Sequence, residues 1–71
     1  MPWTKSVFSS RVSQLTYDEQ TKELQVRWAK GNKTSVYENV PEEVALDLST
    51  SVSVGTMIAN EIIPNYRHRY L

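Results

Sequence analysis

Residues 66–70, Tyr66-Arg67-His68-Arg69-Tyr70, interleave aromatic rings with cations. Rings of this kind stack on unpaired bases while guanidiniums hold phosphates, so the spacing suits single-stranded nucleic acid. Arg11, Arg27, Lys30 and Lys33 carry further positive charge along the preceding segments. The candidate nucleic-acid residues are therefore Arg27, Lys30, Lys33, Tyr66, Arg67 and Arg69. Against them stand a net charge of zero and a pI near 6.6, where nucleic-acid-binding domains run strongly basic. The plainer assignment puts Tyr66 in the core and leaves Arg67 and Arg69 solvated.

Catalysis finds less support. His68 is the single histidine and cysteine is absent, so a nucleophilic relay would have to bring His68 to a serine such as Ser9 and to a carboxylate. No spacing in the chain does this. Glu42 and Glu43 are adjacent, which on a helix turns their side chains about 100° apart and prevents a close carboxylate pair. One histidine without cysteine is a poor donor set for a transition metal. Gly31 and Gly55 stand alone and form no phosphate-cradling loop. A protein that is not an enzyme and carries neither cofactor nor metal is expected.

The neutral total conceals a gradient. Residues 1–37 hold six bases against Asp18, Glu19 and Glu23, residues 38–61 hold five acids and no base, and Arg67 and Arg69 follow. Such asymmetry can steer a partner or a second copy of the chain. Glu42, Glu43 and Asp47, on one predicted helix, and Trp3, ahead of the first strand, are the candidate protein-interaction residues. Aromatic side chains anchor interfaces when exposed. The competing role for Trp3 is to close the open end of a small core. An edge strand that pairs between copies would give a homodimer.

Positioning these residues falls to a few short elements. A 71-residue chain has room for one domain and buries only about 60% of its unfolded surface. Leu24, Val26 and Trp28 alternate with Gln25, Arg27 and Ala29, the pattern of a half-buried strand. Val12, Leu15 and Tyr17 predict a strand before it, with a break in alternation that places a bulge near Ser13 or Gln14. Asp18 suits the turn between them, through a hydrogen bond to the backbone two residues on. Gly31-Asn32 reads as a two-residue hairpin loop, which would set Trp28 opposite Ser35 and Val26 opposite Tyr37. Leu24, Val26, Trp28 and Tyr37 then share the core face, and Arg27, Thr34, Val36 and Glu38 the other. Pro41 suits a first helical position, with Glu42 and Glu43 at the positive end of the helix dipole and Val44, Ala45 and Leu48 facing inward. That helix should fray at Ser49-Thr50-Ser51. Ser53 is placed to cap a second helix carrying Met57, Ile58 and Ile62, which Pro64 ends. The expected architecture is α+β: a three-stranded antiparallel meander, two short helices and a tail without period.

The order of these features resembles the KTSC domain, a module named after the lysyl-tRNA synthetase C-terminus. The resemblance runs from Ser9 to Arg69. It rests on Ser9-Ser10 and Val12, Tyr17-Asp18, Leu24-x-Val26-x-Trp28 with Gly31, Tyr37-x-x-Val40-Pro41, Leu48, Ser53-x-Gly55, Ile62 and Tyr66. The chain departs from the family pattern at Ser35, Ala59, Ile63 and Arg67-His68, where tyrosine, asparagine, arginine and Pro-Tyr are common. The resemblance implies a small bacterial or phage domain, found free-standing or fused to synthetases, for which RNA binding has been suggested. The sequence shows no secretory signal and no apolar run approaching the ~20 residues of a membrane span, so a soluble cytoplasmic protein without a membrane partner is expected. Its expected function is non-enzymatic docking on a protein partner, which in a phage or prophage would be a host protein to be modulated. The alternative is RNA or another single-stranded nucleic acid held by the basic sheet and the Tyr/Arg tail.

Overall fold

The computed structural model describes residues 2–7, 10–31 and 33–71. Phe8, Ser9 (weighed above as a nucleophile) and Asn32 of the hairpin loop lie outside the described residues. The elements are β1 (Trp3–Ser6), β2 (Val12–Asp18), β3 (Glu23–Trp28), β4 (Thr34–Tyr37), α1 (Glu42–Thr50), α2 (Val54–Met57), a π-helical turn over Ile58–Ile62 that continues α2, and β5 (His68–Tyr70). The five strands form one antiparallel sheet in the order β1-β2-β3-β4-β5. The class is α+β, as the periodicity predicts, but the three-stranded meander is a five-stranded one. Its two added strands are the flanking segments around Trp3 and His68. Both are edge strands of three or four residues, and native sheets commonly keep their edges that short.

Antiparallel register turns the sheet into rows of facing side chains. On the helix side, one row runs Trp3, Tyr17, Leu24, Tyr37, His68 and the next runs Lys5, Leu15, Val26, Ser35, Tyr70. On the opposite side, Thr4, Thr16, Gln25, Val36 and Arg69 form a row. The β3–β4 register differs from expectation by two residues, because Val26 faces Ser35 and Leu24 faces Tyr37. The Trp28 N–H donates to the Lys33 carbonyl at 3.0 Å, so the loop between them is four residues long, not two. A two-residue slip preserves the parity of every position, and each side chain stays on its expected face. The bulge near Ser13 is present as a register shift between Val12 and Gln14. At the β2–β3 turn the Asp18 carboxylate accepts from the Gln20 N–H at 2.9 Å.

The core lies between the sheet and the helices. Leu15, Tyr17, Leu24, Val26, Val40, Ala45, Leu48, Ile58 and Ile62 are buried in one cluster. Pro41 sits at the N-cap of α1 in extended conformation, one residue earlier than expected, and Glu42 and Glu43 occupy the first turn. The helix ends within the serine-rich stretch where it is expected to fray, at Thr50, with Ser51 as an extended C-cap. Buried Ser49 donates its hydroxyl to the Leu46 carbonyl at 2.8 Å, and this bond satisfies the side chain inside the helix. Ser53 takes the N-cap position of α2 without a side-chain cap; its N–H donates to the Ser51 hydroxyl at 3.0 Å.

Two buried phenols tie stability to alkaline pH. The Tyr17 hydroxyl donates to the Val40 carbonyl at 2.6 Å. Burial pushes its pKa above the ordinary 10.0, with the charges of Glu42 and Asp18 adding to the rise. Tyr37 is pushed the same way by burial, against a hydrogen bond from Ser35 that works downward. A raised folded-state pKa means that the native state keeps protons that the unfolded chain releases. The contribution is complete below the unfolded value near 10 and is lost as pH climbs through the folded values. Urea midpoints should therefore be unaffected by these phenols up to about pH 9 and fall above about pH 10. A midpoint that holds from pH 9 to pH 11 would contradict the burial of both phenols.

Candidate functional site

The helices do not reach the end of the sheet. His68 and Tyr70, on β5, belong to the helix-side rows yet are exposed, Tyr70 at 62%. Between them and the end of the π-helical turn lies a groove of about 360 Å³ lined by Trp28, Ser35, Tyr37, Ile63, His68 and Tyr70. The His68 ring lies 5.2 Å from the Tyr37 ring and meets the Tyr70 ring edge-on at 4.6 Å. The Trp28 indole N–H donates to the Ser35 hydroxyl at 2.7 Å and fixes the indole against β4. Ser35 is thus the partner that seats Trp28. No carboxylate lines the groove.

Cations stand at its rim. The Lys33 ammonium sits 5.7 Å from the centre of the Tyr70 ring, within the range of a cation–π contact. Lys30, from the same loop, lines a second cavity of about 460 Å³ with Ser10, Arg11 and Trp28. Trp28 therefore lies between two cavities, each with a loop lysine beside it.

The six residues expected to bind nucleic acid do not form one patch. Lys33 stands at Tyr70 of the groove, and Lys30 lines the second cavity beside Trp28. Arg27 and Arg69 point to the opposite side of the sheet. Arg69 is tied there to Glu23 at 2.8 Å and Glu38 at 3.3 Å, and its hydrogen bond with Glu23 is the main cause of a guanidinium pKa above the usual value. Its reach from β5 to β3 crosses β4 over Val36, which faces away from the core and is still fully buried. Tyr66 packs partly buried against the core. Arg67 is exposed, and its carbonyl accepts the Glu38 N–H at 2.9 Å.

Of the expected protein-interaction residues, Trp3 is half-buried in β1, its ring 5.7 Å from that of Tyr17. It closes the end of the core, so its indole is no free anchor. Glu42, Glu43 and Asp47 are exposed on α1, and none is in an ion pair among the described residues. Trp28, Tyr37, His68 and Tyr70 as a group escaped the sequence reading. Within β5 the strand's period of two sends His68 and Tyr70 to one side and Arg69 to the other, a run too short to read as a strand in the sequence.

Among the described residues no three metal-ligating side chains cluster, and no helix is long and apolar enough to cross a membrane. No curated protein matches the chain. It is similar to the crystal structure of a KTSC domain protein from Yersinia pestis, with a TM-score of 0.90 and 24% identity over 100% of this chain and 99% of that one. At that identity the likeness establishes a shared fold. The KTSC domain family model matches residues 8–66, from ahead of β2 to the turn before β5, which is most of the chain. The matched range takes in the Leu24-x-Val26-x-Trp28 strand, the Tyr37-x-x-Val40-Pro41 junction and Tyr66, and the chain belongs to the KTSC domain family.

Proposed function

We propose that the protein is a non-catalytic cytoplasmic binding module for single-stranded RNA. The observation that carries this reading is one loop, between β3 and β4, that sets Lys33 against Tyr70 of an aromatic groove with no carboxylate among its described lining residues, and Lys30 in the adjacent cavity that shares Trp28. Lysines near a strand's backbone neutralise phosphates, and exposed rings receive unpaired bases. The net charge of zero does not count against local binding, because the acids of α1 and the Glu23–Arg69–Glu38 cluster lie outside the groove.

Anisotropy of a labelled oligouridylate, followed over a range of salt, tests this reading. Changing Lys30 and Lys33 together to alanine should weaken binding for every base composition. It should also flatten the slope of log affinity against log salt by about 1.4, for two phosphate contacts on a single strand. An unchanged slope would remove the loop from the binding surface.

A protein partner is the second reading, favoured by the exposed and unpaired Glu42, Glu43 and Asp47. A basic patch on a host protein would complement them, as in a phage-encoded modulator. Their joint reversal to lysine should abolish such a complex and leave RNA affinity no weaker.

A further inference from the structure

We infer that the groove between β3, β4, β5 and the π-helical turn seats one unpaired base of the bound strand, stacked on the Tyr70 ring with His68 at the base's edge, while Lys33 holds the phosphate of the same nucleotide. This deepens the RNA-binding reading above and rests on it. Four features of the groove define its occupant. Its volume of about 360 Å³ is near the lower end for small-ligand sites, enough for one ring system and too small for a duplex. Its accessible walls are two aromatic rings and an aliphatic side chain: Tyr70 at 62% exposure, the exposed His68 imidazole, and Ile63 at 53%. The rings brace one another, because His68 contacts both tyrosines and Trp28 is hydrogen-bonded to Ser35, which limits the order lost on stacking. The charge that stands against these rings among the described residues is the Lys33 ammonium, and it is positive.

Lys33 has two roles in this arrangement. In the free protein its ammonium rests 5.7 Å from the centre of the Tyr70 ring. A base arriving on that ring displaces the ammonium toward the phosphate of the same nucleotide, where a full negative charge replaces a ring quadrupole. The site therefore selects a ring joined to an anion. A positively charged peptide side chain would meet Lys33 as a like charge.

The test compares a fluorescein-labelled oligouridylate with a ribose-phosphate strand of the same length that lacks bases, both titrated with the intact protein. Tyr70→Ala should weaken binding of the base-bearing strand roughly 5- to 150-fold and leave the base-free strand unchanged. Tyr70→Phe, which keeps the ring, should bind both strands like the wild type. Lys33→Ala should weaken both. In a Trp3→Phe background, the emission of Trp28 should change on adding the base-bearing strand only. Equal losses on the two strands with Tyr70→Ala, or no loss on either, would overturn the base seat while leaving backbone binding in place. Failure of the wild type to bind either strand would overturn the RNA reading and the base seat together. Tyr70 is mostly exposed, so circular dichroism should show each variant folded.

Discussion

Leu24→Ala should cost about 2–5 kcal/mol of folding stability, a large part of the roughly 4–10 kcal/mol expected for a chain of this size. Leu24 lies on the central strand, between Tyr17 on one neighbour and Tyr37 on the other, and none of its surface reaches solvent. Its row is closed at both ends by aromatic residues, Trp3 and His68, so neighbouring side chains have little freedom to move into the vacated space. Where a site cannot collapse, the cavity adds to the lost transfer energy. The control is Leu46→Ala, at a residue 48% exposed on α1, which should stay within about 0.5 kcal/mol. Urea titrations with a common slope would measure both changes. A Leu24→Ala loss below about 1 kcal/mol would mean that the central row is loosely packed.

The same row explains which parts of the fold were legible in sequence. Strands β2 and β3 show an alternation of period two because one face is buried and the other wet, and their faces follow from that period alone. Register does not. It depends on loop length, and the Lys30-Gly31-Asn32-Lys33 segment offered a tight two-residue loop that the chain does not adopt. The error was an even number of residues, so Leu24, Val26 and Tyr37 kept their face. Strands β1 and β5 had no comparable signal. Each is an edge of three or four residues with most side chains exposed, and its order comes from the hydrogen-bonding groups of its neighbour rather than from its own pattern.

The candidate site was legible to a smaller degree for a related reason. The tail was recognisable as a run of rings and cations, but its two sets of residues separate onto opposite faces once residues 68–70 pair with β4. Arg69 then finds Glu23, 46 positions away in sequence, and leaves the set of free cations. Trp28, Ser35, Tyr37 and Tyr70 come together only through two successive strand pairings. Ser35 read as a loss of the family's usual tyrosine; in the folded chain it fills the gap with a hydroxyl that holds Trp28.

Tyr17→Phe should separate two contributions of one buried hydroxyl. At neutral pH the variant should be less stable by about 1–3 kcal/mol, because the Val40 carbonyl, at a residue with no solvent exposure, loses the donor now 2.6 Å away. The ring remains, so Trp3 and Leu24 keep their neighbour and little packing is lost. At alkaline pH the difference should narrow. Burial raises the Tyr17 pKa, so the wild type gives up stability as pH rises through the folded value, whereas the variant has no phenol there to ionise. Tyr37 still titrates in both proteins, so the variant's stability should decline above about pH 10 with a shallower slope rather than remain flat. Parallel pH profiles for the two proteins would show that Tyr17 contributes through its hydrogen bond alone. A variant as stable as the wild type at pH 7 would show instead that another donor, such as a water molecule, can serve the Val40 carbonyl at the junction between β4 and α1.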